Sequence, residues 1–157
     1  MTKKFLALLP LVCFANTGLI GCAPPQEPFM SVEICLKDAA GVAAFKQEME
    51  AIARTHGIGV LDDSTSAESE VEAIATEEFR KKLGQPVVSM VVKHNDNVIA
   101  MVGNIGLPSG QVVLSFFDSS RFDSRRFADM VVDRLAKKWR IEVVPQGQGA
   151  QGIAGCS

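Results

Sequence analysis

A chain of 157 residues with 47% hydrophobic and 22% charged side chains has the size and composition of one globular domain. Its formal charge is −2, and without Lys3 and Lys4 the remaining 14 basic residues face 18 acidic ones, a charge of −4. That balance excludes the basic stripe nucleic acid demands. With no tyrosine and Trp139 as the single tryptophan, an aromatic platform for stacking bases or sugars is not expected either.

Lys3 and Lys4 give the chain a positive start, and Phe5 to Ala15 (FLALLPLVCFA) is an uncharged apolar run. That length fits the core of a secretory signal and falls short of the roughly 20 residues that span a bilayer. The segment closes on Leu19-Ile20-Gly21-Cys22: an aliphatic residue, a tolerant position, a small residue, then cysteine. This resembles the lipobox of bacterial lipoproteins. The resemblance covers residues 1–22 and implies that 1–21 is removed as a signal peptide. It further implies a thioether diacylglycerol on the Cys22 sulfur and acylation of the new N-terminus. One acyl chain, at about 0.8 kcal/mol per buried CH₂, holds a protein marginally, whereas two or more hold it stably. In Gram-negative lipoproteins an Asp after the modified cysteine favours inner-membrane retention. Ala23 stands there, so the resemblance implies an outer-membrane anchor facing the periplasm. The alternative is an ordinary signal peptide with a chance cysteine near its cleavage site.

Residues 22–28 then form a lipidated N-terminus and tether, Pro24, Pro25 and Pro28 favouring extended, semi-rigid backbone. A single domain is expected over 29–145. Met30 to Leu36 predicts a strand with Val32, Ile34 and Leu36 on one face. Asp38 caps a helix in which Val42, Phe45, Met49 and Ile52 recur at helical spacing until Gly57. Ile58 to Leu61 predicts a short second strand. Thr65-Ser66-Ala67-Glu68 has the form of a capping box. Behind it Val71, Ile74, Phe79 and Leu83 predict a second helix ending at Gly84, in an unusually acidic segment.

Val87 to Lys93 and Asn97 to Val102 predict a hairpin turning at His94-Asn95-Asp96. Leu107-Pro108-Ser109-Gly110 is a further turn and Val112 to Phe117 a further strand. A last helix from Ser124 carries Phe127, Met130, Val131, Leu135 and Trp139 on one stripe, and Ile141 to Val144 closes the core before Pro145. This order predicts an α+β fold: a two-layer sandwich with helices on one face of a mostly antiparallel sheet, ferredoxin-like in one version. Residues 146–157 are Gly- and Gln-rich and are expected to form a flexible tail.

With Cys13 lost and Cys22 lipidated, Cys35 and Cys156 remain, and export to an oxidising compartment favours a disulfide between them. In a split β-α-β arrangement the first and last strands are neighbours, which would bring the tail back to Cys35. The alternative is a buried free Cys35 and a loose Cys156. Nothing resembles a redox C-x-x-C pair.

The chemistry-bearing residues are sparse. His56 stands at the end of the first predicted helix, where a cation suits the dipole, and His94 stands in a turn. Asp62, Asp63 or Asp96 could join either as metal ligands, but no pair has ligand spacing. No metal site and no cofactor are expected. Gly103-Asn104-Ile105-Gly106 precedes a strand and not a helix, so it lacks a phosphate cradle. No G-x-S-x-G elbow is present, and no catalytic residue is assigned.

Asp62, Asp63, Glu68, Glu70, Glu72, Glu77 and Glu78 fall within 17 residues that hold no basic residue. They form either a solvated helix face or a patch that attracts a basic protein. The basic last helix, with Arg121, Arg125, Arg126, Arg134, Lys137, Lys138 and Arg140, could instead face and neutralise them. The expected function is a membrane-anchored, non-enzymatic interaction module with a protein partner, such as an envelope-complex accessory or an inhibitor or immunity protein. A small-molecule or metal-binding lipoprotein is the alternative, and a hydrolase of envelope material a third.

Overall fold

The computed structural model describes residues 26–78, 86–108 and 110–156. The expected signal peptide, the lipobox with Cys22, and Phe79, Leu83 and Ser109 lie outside the described residues. Among those described, the elements are β1 (Met30–Cys35), α1 (Ala39–Thr55), β2 (Gly59–Asp62), α2 (Ser64–Ile74), β3 (Ser89–His94), β4 (Asn97–Gly103), β5 (Gln111–Phe116), α3 (Ser124–Leu135) and β6 (Arg140–Val143). No helix among these residues is long and apolar enough to cross a membrane.

The six strands lie in the order β2-β3-β4-β5-β1-β6, and every neighbouring pair is antiparallel. The fold is α+β, with helices packed on a sheet. β6 lies beside β1, as the split β-α-β expectation required, with β5 on the other side of β1. A ferredoxin-like sheet has four strands, whereas this one continues through β4 and β3 to an outer β2.

Residues opposite one another across paired strands share a face. Val32, Leu114, Val102 and Met90 therefore make one continuous rung, all four buried. Against it pack Val42, Phe45, Met49 and Ile52 of α1 and Phe127, Val131 and Leu135 of α3. The Asp38 carboxylate caps α1 by accepting from Gly41 N at 2.8 Å, and that of Asp123 caps α3 by accepting from Arg126 N at 3.1 Å. Gly41 is obligatory in the first turn of α1, because a Cβ there would lie 1.9 Å from the Leu36 carbonyl oxygen.

Three local expectations are corrected. The capping box at Thr65 and Glu68 does not form. α2 begins at Ser64 with Asp63 at its N-cap and no side-chain cap bond. The Ser64 hydroxyl is already engaged by the Asp62 carboxylate, by Lys46 Nζ at 2.8 Å and by Ser89 N at 3.0 Å, so the helix starts directly off β2. α2 also stops at Ile74, which is 84% exposed, and of the described residues of the expected stripe Val71 alone is buried. Trp139 lies beyond α3, in a turn closed by Trp139 N donating to Leu135 O at 3.0 Å. Its ring still packs edge-on to Phe45 at 5.9 Å.

The β3–β4 hairpin turns as expected, with Asn95 at φ 54°. Its register shifts so that Val92 faces Ala100 while Lys93 faces Val98. Ile99 is thus an extra residue, and both it and Ala100 are fully buried, the signature of a β-bulge that bends the strand into the core.

Candidate functional site

Strand alternation sends Glu33 and Cys35 to the sheet face opposite the helices. There Cys35 is bonded to Cys156 across 121 residues, with the Cα atoms 5.4 Å apart. The tail arrives as a short clasp. Gly152 N donates to Glu33 Oε1 at 3.1 Å, and Ile153 N donates to Gln111 Oε1 at 2.6 Å. Gln111 Nε2 in turn donates to Ile153 O at 3.4 Å. Ile153, Cys35 and Cys156 form a small buried cluster. The Gly- and Gln-rich composition predicted flexibility for 146–157, yet its last described residues are fastened to β1 and β5. The clasp covers only part of this sheet face. Further along, Leu61, Val91 and Met101 stand side by side on β2, β3 and β4, with Leu61 54% and Met101 45% exposed.

Both histidines come to one end of the sheet. His94 stacks on Phe122 with ring centroids 4.6 Å apart, Phe122 packs on Phe127 at 5.5 Å, and His56 meets Phe127 edge-on at 6.2 Å. The buried His94 Nδ1 has no hydrogen-bond partner among the described residues. A recess beside this cluster is lined by His56, Phe122, Asp123, Arg126, Phe127 and Met130. Among the described residues no three His, Cys, Asp or Glu side chains gather as metal ligands. Asn104, in the Gly-rich turn, is fully buried. It accepts from Val88 N at 2.8 Å and donates to Pro86 O at 3.1 Å, which ties the turn to the start of β3.

The acidic residues divide in two. Asp62 is held by Lys46 Nζ at 3.0 Å and by the side chain and backbone of Ser64. Burial alone would raise its pKa, but the bonds from Ser64 and Lys46 together outweigh that and lower it. On α2, by contrast, Glu68, Glu70 and Glu72 are exposed and make no ion pair among the described residues.

The last helix does not neutralise them. Arg134 and Lys138 both bind Glu48 of α1, and Arg125 binds Asp118 at 3.0 Å. Lys138's hydrogen bond is the main cause of a lowered Glu48 pKa, helped by Arg134 and opposed by burial. Glu48, unremarkable in sequence, is thus the carboxylate that braces α1 to α3. A cross-helix carboxylate of this kind has no local sequence signal.

Beside these carboxylates of α2 lies an open apolar groove of about 480 Å³. Ala67, Val71, Ile74, Ala75 and Ile105 line it, with Glu70 on its rim. Ile74 and Ile105 both expose more than half of their surface. Among the described residues the arrangement is an apolar floor bordered by carboxylates. Comparison of the chain with protein-family models, with curated proteins and with solved structures finds no match.

Proposed function

We propose that this chain is an envelope lipoprotein, lipidated on Cys22, whose domain is a non-enzymatic module that binds a protein partner through α2. The observation that carries the partner reading is the combination on α2 of Glu68, Glu70 and Glu72, which have no ion pair within the described residues, with the exposed groove beside them. Apolar surface gives such a contact its affinity, and the one-sided charge selects a basic surface and speeds encounter. An accessory of an envelope complex, or an inhibitor of a basic envelope enzyme, fits this chemistry.

The anchor rests on the resemblance of Leu19-Ile20-Gly21-Cys22 to a lipobox. A Cys22→Ala variant should lose lipid labelling and membrane association, and retention of lipid by that variant would overturn the anchor. For the partner, envelope extracts are passed over the immobilised Cys22→Ala protein at low and high salt. A specific protein recovered at low salt and released by salt supports the reading, and recovery of none counts against it. A second reading, metal or small-molecule binding, is favoured by one observation, the unpartnered buried Nδ1 of His94 near the His56 recess. No thermal shift on metal titration, with unchanged behaviour of His94→Ala, would remove its metal form.

A further inference from the structure

An anchor on Cys22 states where the chain is held; the fold also decides which end of it faces the lipid. Gln26, the first described residue, donates from Nε2 to the Asp118 carbonyl at 2.6 Å. Three residues on, Phe29 N donates to Phe116 O at 3.0 Å, and the Arg125 guanidinium lies 4.5 Å over the Phe29 ring. The incoming chain is therefore fastened at the end of the sheet where β5 leaves for α3. The β3–β4 turn and the end of α1 reach this same end, as the stacking of His94 on Phe122 and of His56 on Phe127 requires. β2 runs parallel to β1, because three antiparallel pairings link it to β5. From Asp62, which faces Met90 of β3, the chain runs on away from that end, and Val71 of α2 packs on Val87, seven residues and roughly 20 Å from His94.

The reach of the anchor is short. Four peptide links separate Cys22 from Gln26 and span at most about 14 Å, and release back to Phe29 extends this only to about 25 Å. The exposed charges are spread unevenly along the same axis. Arg54, Lys93, Arg121 and Arg126 are exposed at the chain-entry end. There Asp118 is bound by Arg125 and Asp123 caps α3, which leaves Glu27, Asp96 and Asp129 against them. Exposed Asp63, Glu68, Glu70 and Glu72 lie toward the far end, where Lys37 and Lys137 are exposed as well. A basic side chain near an anionic lipid surface gains about 1 kcal/mol within a Debye length, and a carboxylate is repelled.

We infer that the anchored protein stands upright on a phospholipid surface. The 117–123 loop, the β3–β4 turn and the first turn of α3 meet the headgroups, and α2 with its groove points away. This rests on lipidation of Cys22. The short tether demands this orientation, and the exposed carboxylates of α2 favour it independently.

The test uses the full chain, lipidated in cells and reconstituted into phosphatidylethanolamine–phosphatidylglycerol vesicles that contain a headgroup-labelled acceptor lipid. A donor dye is placed on an azide-bearing residue substituted for Arg121 or, separately, for Glu70. Energy transfer is expected to be about twofold or more higher from position 121, given a separation of about 20 Å along the axis. An insertion of about twenty Gly and Ser residues after Pro25 should bring the two values together. Equal transfer, or more from position 70, in protein shown by mass to carry lipid on Cys22 overturns the orientation alone. Protein that carries no lipid there and does not float with vesicles overturns the anchor, and the orientation with it.

Discussion

Glu48 sits between α1 and α3 with its side chain 9% exposed, bound by Arg134 and Lys138, whose own side chains are 39% and 53% exposed. The buried member suffers most from a broken pair, while solvent screens the two bases. Glu48→Gln should therefore cost about 1–2 kcal/mol in chemical unfolding, less than a fully buried pair would lose. The pH dependence has a definite sign. The folded-state pKa of Glu48 and of Asp62 is lowered. Their stabilisation is complete above the unfolded values of 4.5 and 3.8 and is lost as pH falls through the depressed folded ones. Melting temperature should fall below about pH 4.5 in the native chain and fall less steeply in Glu48→Gln. Equal acid slopes would contradict the brace. Gly41 and Gly57 supply a matched comparison. A methyl at position 41 collides with the Leu36 carbonyl oxygen, so Gly41→Ala should cost about 3 kcal/mol or more. At position 57 the Cβ meets nothing within 4 Å and only φ +65° is strained, so Gly57→Ala should cost about 1 kcal/mol. Urea unfolding of the two variants gives the ranking directly.

Among the elements, α1, α3 and the β3–β4 hairpin were legible in sequence because each carries its own local instructions. Asp38 caps α1, apolar residues repeat at helical spacing in both helices, and His94-Asn95-Asp96 turns. The bulge at Ile99 was hidden, since two adjacent buried residues break the alternation only once β3 is paired beside them. The start of α2 was hidden for a related reason. The Ser64 hydroxyl is claimed by Ser89, 25 residues away, so the cap geometry is a tertiary matter. Gly and Gln content described the local freedom of the tail and carried no trace of Glu33 and Gln111 waiting on the sheet. The clasp follows from the disulfide. Loop-closure entropy over 121 residues allows up to about 5 kcal/mol of stabilisation. Cys156→Ser should accordingly lower stability by roughly 2–5 kcal/mol. Amide exchange should also rise at Gly152 and Ile153, whose N–H groups bind Glu33 and Gln111. A variant with native exchange at both amides would show the clasp holding without its bond.

At the scale of the whole molecule, the acidic run was visible in sequence, but its state was not. Whether α3 neutralised it depended on which bases Glu48 and Asp118 had already taken. The groove was invisible, because Ile105 reaches α2 only through the fold. What the fold leaves unexplained is why α2 keeps its acids. Glu68 and Glu72 are four apart and repel along the helix, and no base in its last turn offsets the dipole. Each feature costs a few tenths of a kcal/mol and returns no contact within the described residues. Glu72→Lys removes the repulsion and creates a Glu–Lys pair in the favourable direction. It should stabilise the domain by about 0.5 kcal/mol at low salt. If the acids recognise a partner, the same change should weaken capture of that partner from envelope extracts, so stability and binding move in opposite directions. If they only solvate the helix, stability rises and capture is unchanged. The two measurements on one variant therefore separate an interaction surface from a merely soluble face.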